Sequence, residues 1–584
     1  MTKQRVIIVG GGLAGLMATL RIAEKNVPVD LFSLVPVKRS HSLCAQGGIN
    51  AALNTKGEND TVEQHFFDTI YGGDFLADQP PVKEMCETAP DLIYLYDRMG
   101  VVFSRTSEGL LDLRNFGGVK NKRTAFAGGT TGQQLLYGLD SQVRKFETTG
   151  MVTKYEGWEF LSAVIDDDGI CRGIIAQDLA SMKIHSFRAD VVILATGGGG
   201  MIYGKSTNSI ICTAAAAGRV YQQGAGFTNG EFVQFHPTGM LGDDKTRLMS
   251  EASRGEGGRI WTYKDGKPWY FLEEWYPAYG NLVPRDIASR AIYKVCVEMG
   301  LGIDGKNQVY LDLTHKDPSF LETRLGGILE IYQQFTGEDP RKVPMKIFPA
   351  PHYFMGGIKV DWNHMTDIPG LFAAGESDSM YHGANRLGAN SLLSATYSGY
   401  IVGPKALDYI KGLERTAADM EDKIFENELR KQTEIDELVY KMDGNEDPYA
   451  LHEELGNNML TNVGVVRYNK NLKEADDKIL ELMDRYKNIK LYDKSRWANQ
   501  TVSFIKQLWQ MMEIARVITL GALNRNESRG SHYKPDFPER NDQDWLKKTN
   551  ATWSPNGPVF AYSEVDISLL EPRKRRYDIA GGAK

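Results

Sequence analysis

The stretch VIIVGGGLAGL at residues 6–16 constrains the fold of this chain more than any other feature. Its first four residues, 6–9, predict a buried parallel strand, and Gly10, Gly12 and Gly15 complete the pattern G-x-G-x-x-G. Such glycines let the backbone approach a pyrophosphate, which then rests on the positive end of the following helix. A second apolar segment, VPVDLF, comes after that helix. The sequence therefore predicts an α/β unit that binds a nucleotide.

The end of this second segment departs from the usual dinucleotide-binding pattern. An acidic residue that contacts the ribose is expected there, and Ser33 occupies the position instead. Asp30 lies inside the predicted strand, where its side chain can face away from a nucleotide. The sequence thus leaves the ribose contact open, with Ser33 as a candidate.

Two later segments repeat the order of an apolar strand followed by glycine. ADVVILATGGGG (189–200) ends in four glycines, and IPGLFAAGESDS (368–379) ends in a Gly375-Glu376 pair. Either segment alone fits an ordinary buried strand that ends in a turn. Together with the first motif they predict a dinucleotide bound lengthwise across one sheet. FAD fits better than NAD because no second complete fingerprint for a nicotinamide nucleotide is present.

Composition narrows the class of protein. At 584 residues the chain exceeds a single core, so two to four domains are expected, and a net charge of −7 argues against nucleic acid as a partner. The five cysteines lie far apart, so no disulfide framework and no iron–sulfur or zinc site is expected. No apolar run reaches the ~18–20 residues of a membrane span. The start imitates a secretory signal, but glycines interrupt its apolar stretch, so a cytoplasmic chain is expected.

Residues that commonly bind anions are concentrated between and beyond the two later segments. Each alone fits an ordinary loop histidine, surface arginine or helix start. As a set they suit a small dicarboxylate, because the arginine fork matches a carboxylate with two hydrogen bonds. The set comprises His236, Ser250, Glu251, Arg254, Arg285, His352 and Arg386.

Six motifs carry a family resemblance: RSHSLCAQGGINAAL, FVQFHPTG, SEASRGEGG, PRDIASR, HYFMGGI and HGANRLGANSLLSA. With ESRGSHYKPDFPERND near the end, they resemble the flavoprotein subunits of succinate dehydrogenase and fumarate reductase over nearly the whole chain. KYEGWEFL, GKSTNS and FLADQPPVK are similar to the menaquinone-linked branch of Gram-positive type. Leu34 departs from the family's common lysine, Ala215 from its Thr-Gly-Asp-Gly segment, and Ser250 from its threonine. The first two departures leave individual FAD contacts open.

The resemblance implies that FAD is the cofactor and that His41, in RSHS, bonds covalently to its 8α-methyl group. Such a bond is expected to raise the flavin potential, which helps because succinate is a poor hydride donor. The cofactor contacts implied by the resemblance and the fingerprint are Gly10, Gly12, Leu13, Ala14, Gly15, Ser33, Ser40, His41, Ser42, Gln46, Gly47, Gly48, Tyr353, Glu376, Arg386, Ser391 and Leu392.

The resemblance also implies how succinate and fumarate are interconverted. A proton beside a carboxylate is very weakly acidic, so the family uses an arginine, at the position of Arg285, to exchange it. Glu251 and Arg254 resemble the relay that carries this proton to solvent. The carboxylates are expected to be held by His236, Ser250, His352 and Arg386.

The expected architecture is α/β, with a Rossmann-like FAD-binding domain in two parts, 1–235 and 346–420. An α+β capping domain is inserted at 236–345, where GGRIWTYKDGKPWYF predicts a hairpin. A helical domain (421–540) and a small C-terminal segment (541–584) follow. The basic EPRKRRYD near the end is interpreted as a solvated surface, with a partner or membrane contact as the alternative.

The resemblance implies partners and a location as well. An iron–sulfur subunit takes the electrons, and a membrane anchor subunit with haem passes them to quinone, which places this chain peripherally on the cytoplasmic face of the membrane. Three alternatives stay open: an L-aspartate oxidase, which normally lacks the R-S-H motif; a soluble fumarate reductase with its own haem or flavin appendage; and a non-enzymatic scaffold. Covalently bound flavin would distinguish a succinate dehydrogenase or fumarate reductase subunit from an L-aspartate oxidase.

Overall fold

The computed structural model describes residues 4–577, and its centre is a five-stranded sheet. All neighbouring strands in it run parallel, in the spatial order Leu371–Ala373, Val191–Leu194, Val6–Val9, Val29–Ser33 and Val152–Glu156. The prediction that both glycine-ended segments return to the sheet of the fingerprint strand is confirmed. Their carboxyl ends lie at one edge, which is where open α/β sheets bind ligands.

Two glycines of the fingerprint are required by close packing. Gly10 has φ of +118°, and a Cβ there would lie 2.1 Å from the carbonyl oxygen of Ala195 on the neighbouring strand. A Cβ at Gly15 would lie 1.9 Å from the carbonyl oxygen of Gly10. The helix Leu13–Ala23 therefore sits directly against the turn that precedes it, and its first N–H groups face the edge of the sheet.

Helices and two small antiparallel sheets surround the central sheet. The helix Asn390–Lys411 packs on Leu13–Ala23 so closely that a Cβ at Gly399 would lie 2.3 Å from the carbonyl oxygen of Ala14. The other helices here are Val62–Gly72, Gln79–Arg98, Thr131–Glu147 and Ala215–Gln222. The small sheets comprise Trp158–Ile165, Cys171–Asp178 and Ile184–Arg188, and Ile49–Asn50, Thr124–Ala125 and Leu113–Arg114.

A six-stranded sheet carries the predicted capping region. Its spatial order is Arg247–Leu248, Val233–Met240, Met345–Phe354, Val309–Asp312, Arg259–Lys264 and Lys267–Trp269. The last two strands confirm the predicted hairpin. The predicted limits at 235/236 and 345/346 fall inside two strands that pair with each other, so the sheet continues across both. Its helices are Ala252–Gly255, Phe271–Trp275, Arg285–Tyr293, which continues as a π-helix over Lys294–Glu298, and Pro318–Thr336.

The predicted helical region follows as four long helices, Asp422–Tyr440, Pro448–Asn462, Asn469–Tyr486 and Gln500–Asn524, which confirms its helical patterns. None of the helices within the described residues is long and apolar enough to cross a bilayer. After the short helix Asp542–Trp545, the strands Lys547–Thr552 and Val559–Glu564 complete a sheet with Phe227–Thr228 and Gly357–Ile358. Residues 578–584 of the predicted C-terminal segment lie outside the described residues.

The basic segment EPRKRRYD needs a correction. The side chain of Arg575 is only 7% exposed and forms ion pairs with Asp74 and Asp286, and Tyr577 is buried. The interpretation as a solvated surface is wrong for these two residues, because buried carboxylates elsewhere in the chain hold the guanidinium. Asp578, the last residue of the motif, lies outside the described residues.

Candidate active site

A continuous cavity opens at the carboxyl ends of four parallel strands and extends to the capping region. It brings together nearly all the residues predicted from the sequence. Those that line it are Gly10, Gly12, Leu13, Ala14, Ser33, Ser40, His41, Ser42, Gln46, Gly47, Gly48, His236, Ser250, Glu251, Arg285, His352, Tyr353, Glu376, Arg386, Ser391 and Leu392. Gly15 lies behind the wall as a packing residue, and Arg254 lies behind Glu251.

One end of the cavity fits the pyrophosphate part of a dinucleotide. The N–H of Leu13 at the helix start donates to Ser42 Oγ at 3.2 Å, which joins the fingerprint to the segment of His41. Ala195, Thr196 and Gly197, at the end of the neighbouring strand, line the same space. A helix N-terminus framed by glycines is a ready anion site, so these residues fit FAD.

Of the two candidates for a ribose contact on the second strand, Asp30 and Ser33, one lines the cavity. Asp30 pairs with Arg5, with Oδ2 and NH1 2.9 Å apart, and does not line the cavity. Ser33 does line it, together with Trp158 and Glu159 from the strand Trp158–Ile165 of a separate sheet. The absent acidic residue thus leaves a polar serine at this position, as the sequence predicts.

His41 lines the cavity from a short 3₁₀ turn over His41–Cys44. The N–H of Ser209 donates to its Nδ1 at 3.2 Å, and the Nδ2 atom of Asn208 lies 3.0 Å from its Nε2. Burial, reinforced by the charge of Lys245, lowers the pKa of His41 to about 4. The imidazole is therefore neutral at physiological pH and keeps a nucleophilic lone pair.

Two neutral histidines in the cavity wall face each other, with ring centroids 4.9 Å apart. Burial and the charge of Arg285 lower the pKa of both His236 and His352 far below the ordinary range. The N–H of Thr238 donates to His236 Nδ1 at 3.3 Å, so the ring proton lies on Nε2. That Nε2 is buried and has no hydrogen-bond partner within the described residues, which makes it a donor available to a ligand.

Arg386 is a buried guanidinium with no carboxylate partner among residues 4–577. Its NH1 donates to the carbonyl oxygen of Leu387 at 3.1 Å, and its Cζ lies 4.3 Å from the ring centroid of Tyr353. Nε and NH2 are buried without partners. Burial, followed by repulsion from Arg285, lowers the pKa of Arg386 to about 9. Since an unpaired buried cation is costly, this side chain fits an anionic ligand.

Arg285, Glu251 and Arg254 form an unbroken chain of charges. Glu251 Oε2 accepts from Arg285 Nε at 2.8 Å, and Glu251 Oε1 accepts from Arg254 NH2 at 2.7 Å. Burial acts to raise the pKa of Glu251, but the two arginines outweigh it and hold that pKa below its ordinary value. Arg254 continues the chain by donating to the carbonyl oxygen of Asn281 at 2.7 Å. The three residues are thus connected as a proton path requires.

Two further predicted residues complete the wall. Ser250 is buried just before Glu251, with its Oγ accepting from the N–H of Ala252 at 3.3 Å. Glu376 accepts from the N–H of Phe354 at 3.0 Å. Burial raises the pKa of Glu376 to about 7, against the opposing effect of this N–H and of Arg386.

Sequence reasoning missed Gln234, which lies behind the cavity wall, and several residues that line the cavity. Gln234 Oε1 accepts from Arg285 NH1 at 3.0 Å, while Gln234 Nε2 donates to the carbonyl oxygen of Arg386 at 2.7 Å. It stands two residues before His236 in FVQFHPTG, and the alternation of the strand could have placed both on one face. Phe116 and Lys245 also line the cavity, in segments with no recognisable motif.

The fold and the cavity together define an FAD-binding flavoprotein with a buried anion site, and comparisons with known proteins agree. Residues 5–392 match the model of the FAD binding domain, and residues 452–577 match that of the fumarate reductase flavoprotein C-terminal region. The succinate dehydrogenase flavoprotein subunit of Bacillus subtilis is 64% identical over 99% of each chain. This chain therefore belongs to the flavoprotein subunits of succinate dehydrogenase and fumarate reductase, which are FAD-dependent oxidoreductases.

Solved structures support the same family. A variant of the Escherichia coli quinol fumarate reductase superposes with a TM-score of 0.92 at 32% identity, covering 98% of this chain and 99% of that chain. A quinol–fumarate reductase with menaquinol molecules gives a TM-score of 0.91 at 32% identity, covering 98% and 100%. The predicted fold class, an FAD-binding α/β domain with helical and C-terminal regions, is confirmed by these matches.

Proposed function

We propose that this chain is the catalytic flavoprotein subunit of an enzyme that interconverts succinate and fumarate. The observation that carries the proposal is Arg386, a buried guanidinium with no carboxylate partner within residues 4–577, which faces the same cavity as the Arg285–Glu251 pair and the FAD fingerprint. A small dicarboxylate supplies the missing negative charge and presents a carbon to Arg285. Succinate-dependent reduction of an artificial dye by the purified protein tests this function directly.

The substrate carboxylates are held by neutral donors and one fixed cation. His236 offers Nε2–H, Ser250 its hydroxyl, and Arg386 its Nε–H and NH2 groups. Because both histidines are neutral, the strongest local charge on a bound carboxylate comes from arginine, whose planar fork sets its orientation. His352 lies beside His236 and closes the same wall.

FAD, when bound, supplies the acceptor or donor of the hydride. The chain's own residues handle the proton on the adjacent carbon, and Arg285 is the candidate that exchanges it. Glu251 holds Arg285 through two contacts to Oε2, from Nε at 2.8 Å and from NH2 at 2.7 Å. In succinate oxidation Arg285 gives its own proton to Glu251 and, as the neutral guanidine, takes up the proton that leaves the substrate. Arg254, buried behind Glu251, is the next group of the relay. The same path serves fumarate reduction in reverse.

Covalent attachment of FAD to His41 is part of the proposal, and it separates this chain from an L-aspartate oxidase. We expect His41→Ser to leave FAD bound noncovalently, to keep some fumarate reduction and to lose most succinate oxidation, because the fingerprint that binds FAD is separate from His41. Flavin fluorescence of the acid-denatured chain in a gel measures attachment, with wild type as the positive control. If flavin still migrates with the denatured variant, His41 is not the attachment site.

We further propose that electrons leave through an iron–sulfur subunit, then a membrane anchor subunit with haem, to menaquinone, at the cytoplasmic face of the membrane. The similar proteins support this: one is named a flavoprotein subunit, and another is a quinol–fumarate reductase with menaquinol molecules. The chain is expected to sediment with membranes and to be released by high pH or chaotrope. Immunoblotting of washed membranes measures this. A quinone-reducing activity of the isolated chain without other subunits would contradict it.

A further inference from the structure

The C-terminal segment 566–577 runs across the FAD-binding region without forming a helix or a strand. Gln79, in the first turn of its helix, anchors the segment: its Oε1 accepts from the N–H groups of Leu569 and Leu570 at 2.8 and 2.7 Å, and its Nε2 donates to the carbonyl oxygen of Leu570 at 2.8 Å. Further on, Arg540 NH1 donates to the carbonyl oxygen of Arg573 at 2.9 Å. These contacts give the segment a defined course toward the active site.

At Arg575 the segment contacts the helix that carries Arg285. Arg575 NH2 donates to Asp286 Oδ2 at 2.6 Å, and Arg575 Nε lies 3.1 Å from Asp74 Oδ2. The ring of Tyr577 packs edge to face between those of Tyr71 and Tyr279, at 5.8 and 5.1 Å. One short segment thus contacts both the FAD-binding region and the capping region.

Arg575 forms the ion pair that Asp286 makes within residues 4–577. Its side chain has no solvent exposure, and within residues 4–577 its Oδ1 has no hydrogen-bond partner. Arg290, one turn further along the helix, donates from NH2 to the carbonyl oxygen of Gly530. Its charge also acts on Asp286, but no ion pair joins the two side chains within residues 4–577. A buried carboxylate that loses its cation must shift, take up a proton or draw in water.

Asp286 and Arg285 occupy the first two positions of the same helix, after Pro284 at its N-cap. Any movement of Asp286 toward a new partner is therefore transmitted through the backbone to the guanidinium of Arg285. Small displacements matter here, because a misplacement of about 1 Å can cost ~10²-fold in rate.

We propose that Arg575 is a positioning residue of the active site, which holds Arg285 in place by neutralising Asp286. This inference rests on the proposed function, since it assigns Arg575 a role in that reaction. The C-terminal segment, which the sequence marks only as a run of basic residues, becomes part of the support of the proton-exchanging arginine.

The test compares Arg575→Gln with Lys574→Gln, at the neighbouring basic residue whose exposed side chain pairs with exposed Glu539. For Arg575→Gln we expect kcat with succinate to fall ~10–100-fold, with the FAD content and the dissociation constant for malonate unchanged within about threefold. Lys574→Gln is expected to match wild type. A fall in thermal stability with kcat intact would show a merely structural role and overturn the proposal.

A second variant keeps the test independent of folding. In the double variant Arg575→Gln/Asp286→Asn the uncompensated charge is absent, so kcat is expected to recover to within several-fold of wild type. Losses that multiply, instead of cancelling, would contradict positioning through Asp286. Wild-type turnover is measured alongside: its absence with succinate and fumarate would refute the proposed function, whereas wild-type activity with an unaffected Arg575→Gln refutes only this inference.

Discussion

Arg285→Gln is expected to lower kcat by ~10²–10⁴-fold in both directions, because general acid–base catalysis contributes that much to a rate. FAD attachment and dicarboxylate binding are expected to survive. A group that exchanges a proton acts mainly in the transition state, so its loss lowers kcat and leaves ground-state binding largely intact. Steady-state rates with succinate and with fumarate, and malonate binding followed by flavin absorbance, measure the two effects separately.

The structure indicates that this variant still folds. Glu251 keeps Arg254 as a partner at 2.7 Å and the N–H of Gly117 at 3.0 Å, so its carboxylate does not become an unpaired buried charge. Arg259→Gln is a matched control: that arginine lies in the same capping region, half-exposed, and pairs with Glu273. The control is expected to retain wild-type turnover. If Arg285→Gln kept more than about a hundredth of the wild-type rate, the proton-exchanging role would pass to His236 or His352.

Arg386→Gln is expected to weaken dicarboxylate binding and turnover together. Its charge is the one that a buried carboxylate meets, and truncating one partner of a buried, hydrogen-bonded charge pair costs about 2–5 kcal/mol, or ~30- to 5,000-fold in affinity. The same group acts in the ground state and in the transition state, so the dissociation constant of malonate rises and kcat/KM falls. Flavin absorbance titrations and steady-state kinetics measure both.

Without a ligand, the Arg386→Gln substitution is expected to change stability in the opposite direction from its effect on binding. In the free site the guanidinium is buried with Nε and NH2 unpaired and its pKa lowered to about 9, so its charge destabilises the ligand-free fold. The melting temperature without dicarboxylate is therefore expected to stay the same or to rise, while the stabilisation that malonate gives to wild type is lost. A large fall in melting temperature with malonate affinity intact would show that Arg386 supports the fold and does not bind substrate.

Short sequence patterns predict those features of this fold that depend on neighbouring residues. The strand and glycine turn of the fingerprint were predictable because close backbone approach demands glycine at Gly10 and Gly15, whatever the rest of the chain does. The two later strands were predictable from their apolar runs and the glycines that follow them, and the sheet they join sets the position of the cavity. The resemblance of the motifs to a known family then predicted most of the residues that line this cavity.

The tertiary structure alone decided how these side chains are paired. Gln234 joins Arg285 to Arg386 although the two arginines are a hundred residues apart in sequence, and no local pattern records such a contact. The basic segment EPRKRRYD was predicted to lie on the surface because charged residues are usually solvated. Only folding brings Asp74 and Asp286 to Arg575. The sequence by itself predicted the sheet, the cofactor and the kind of substrate. Which buried charges neutralise one another, and which arginine is left free for a ligand, depends on long-range packing that only the folded chain creates.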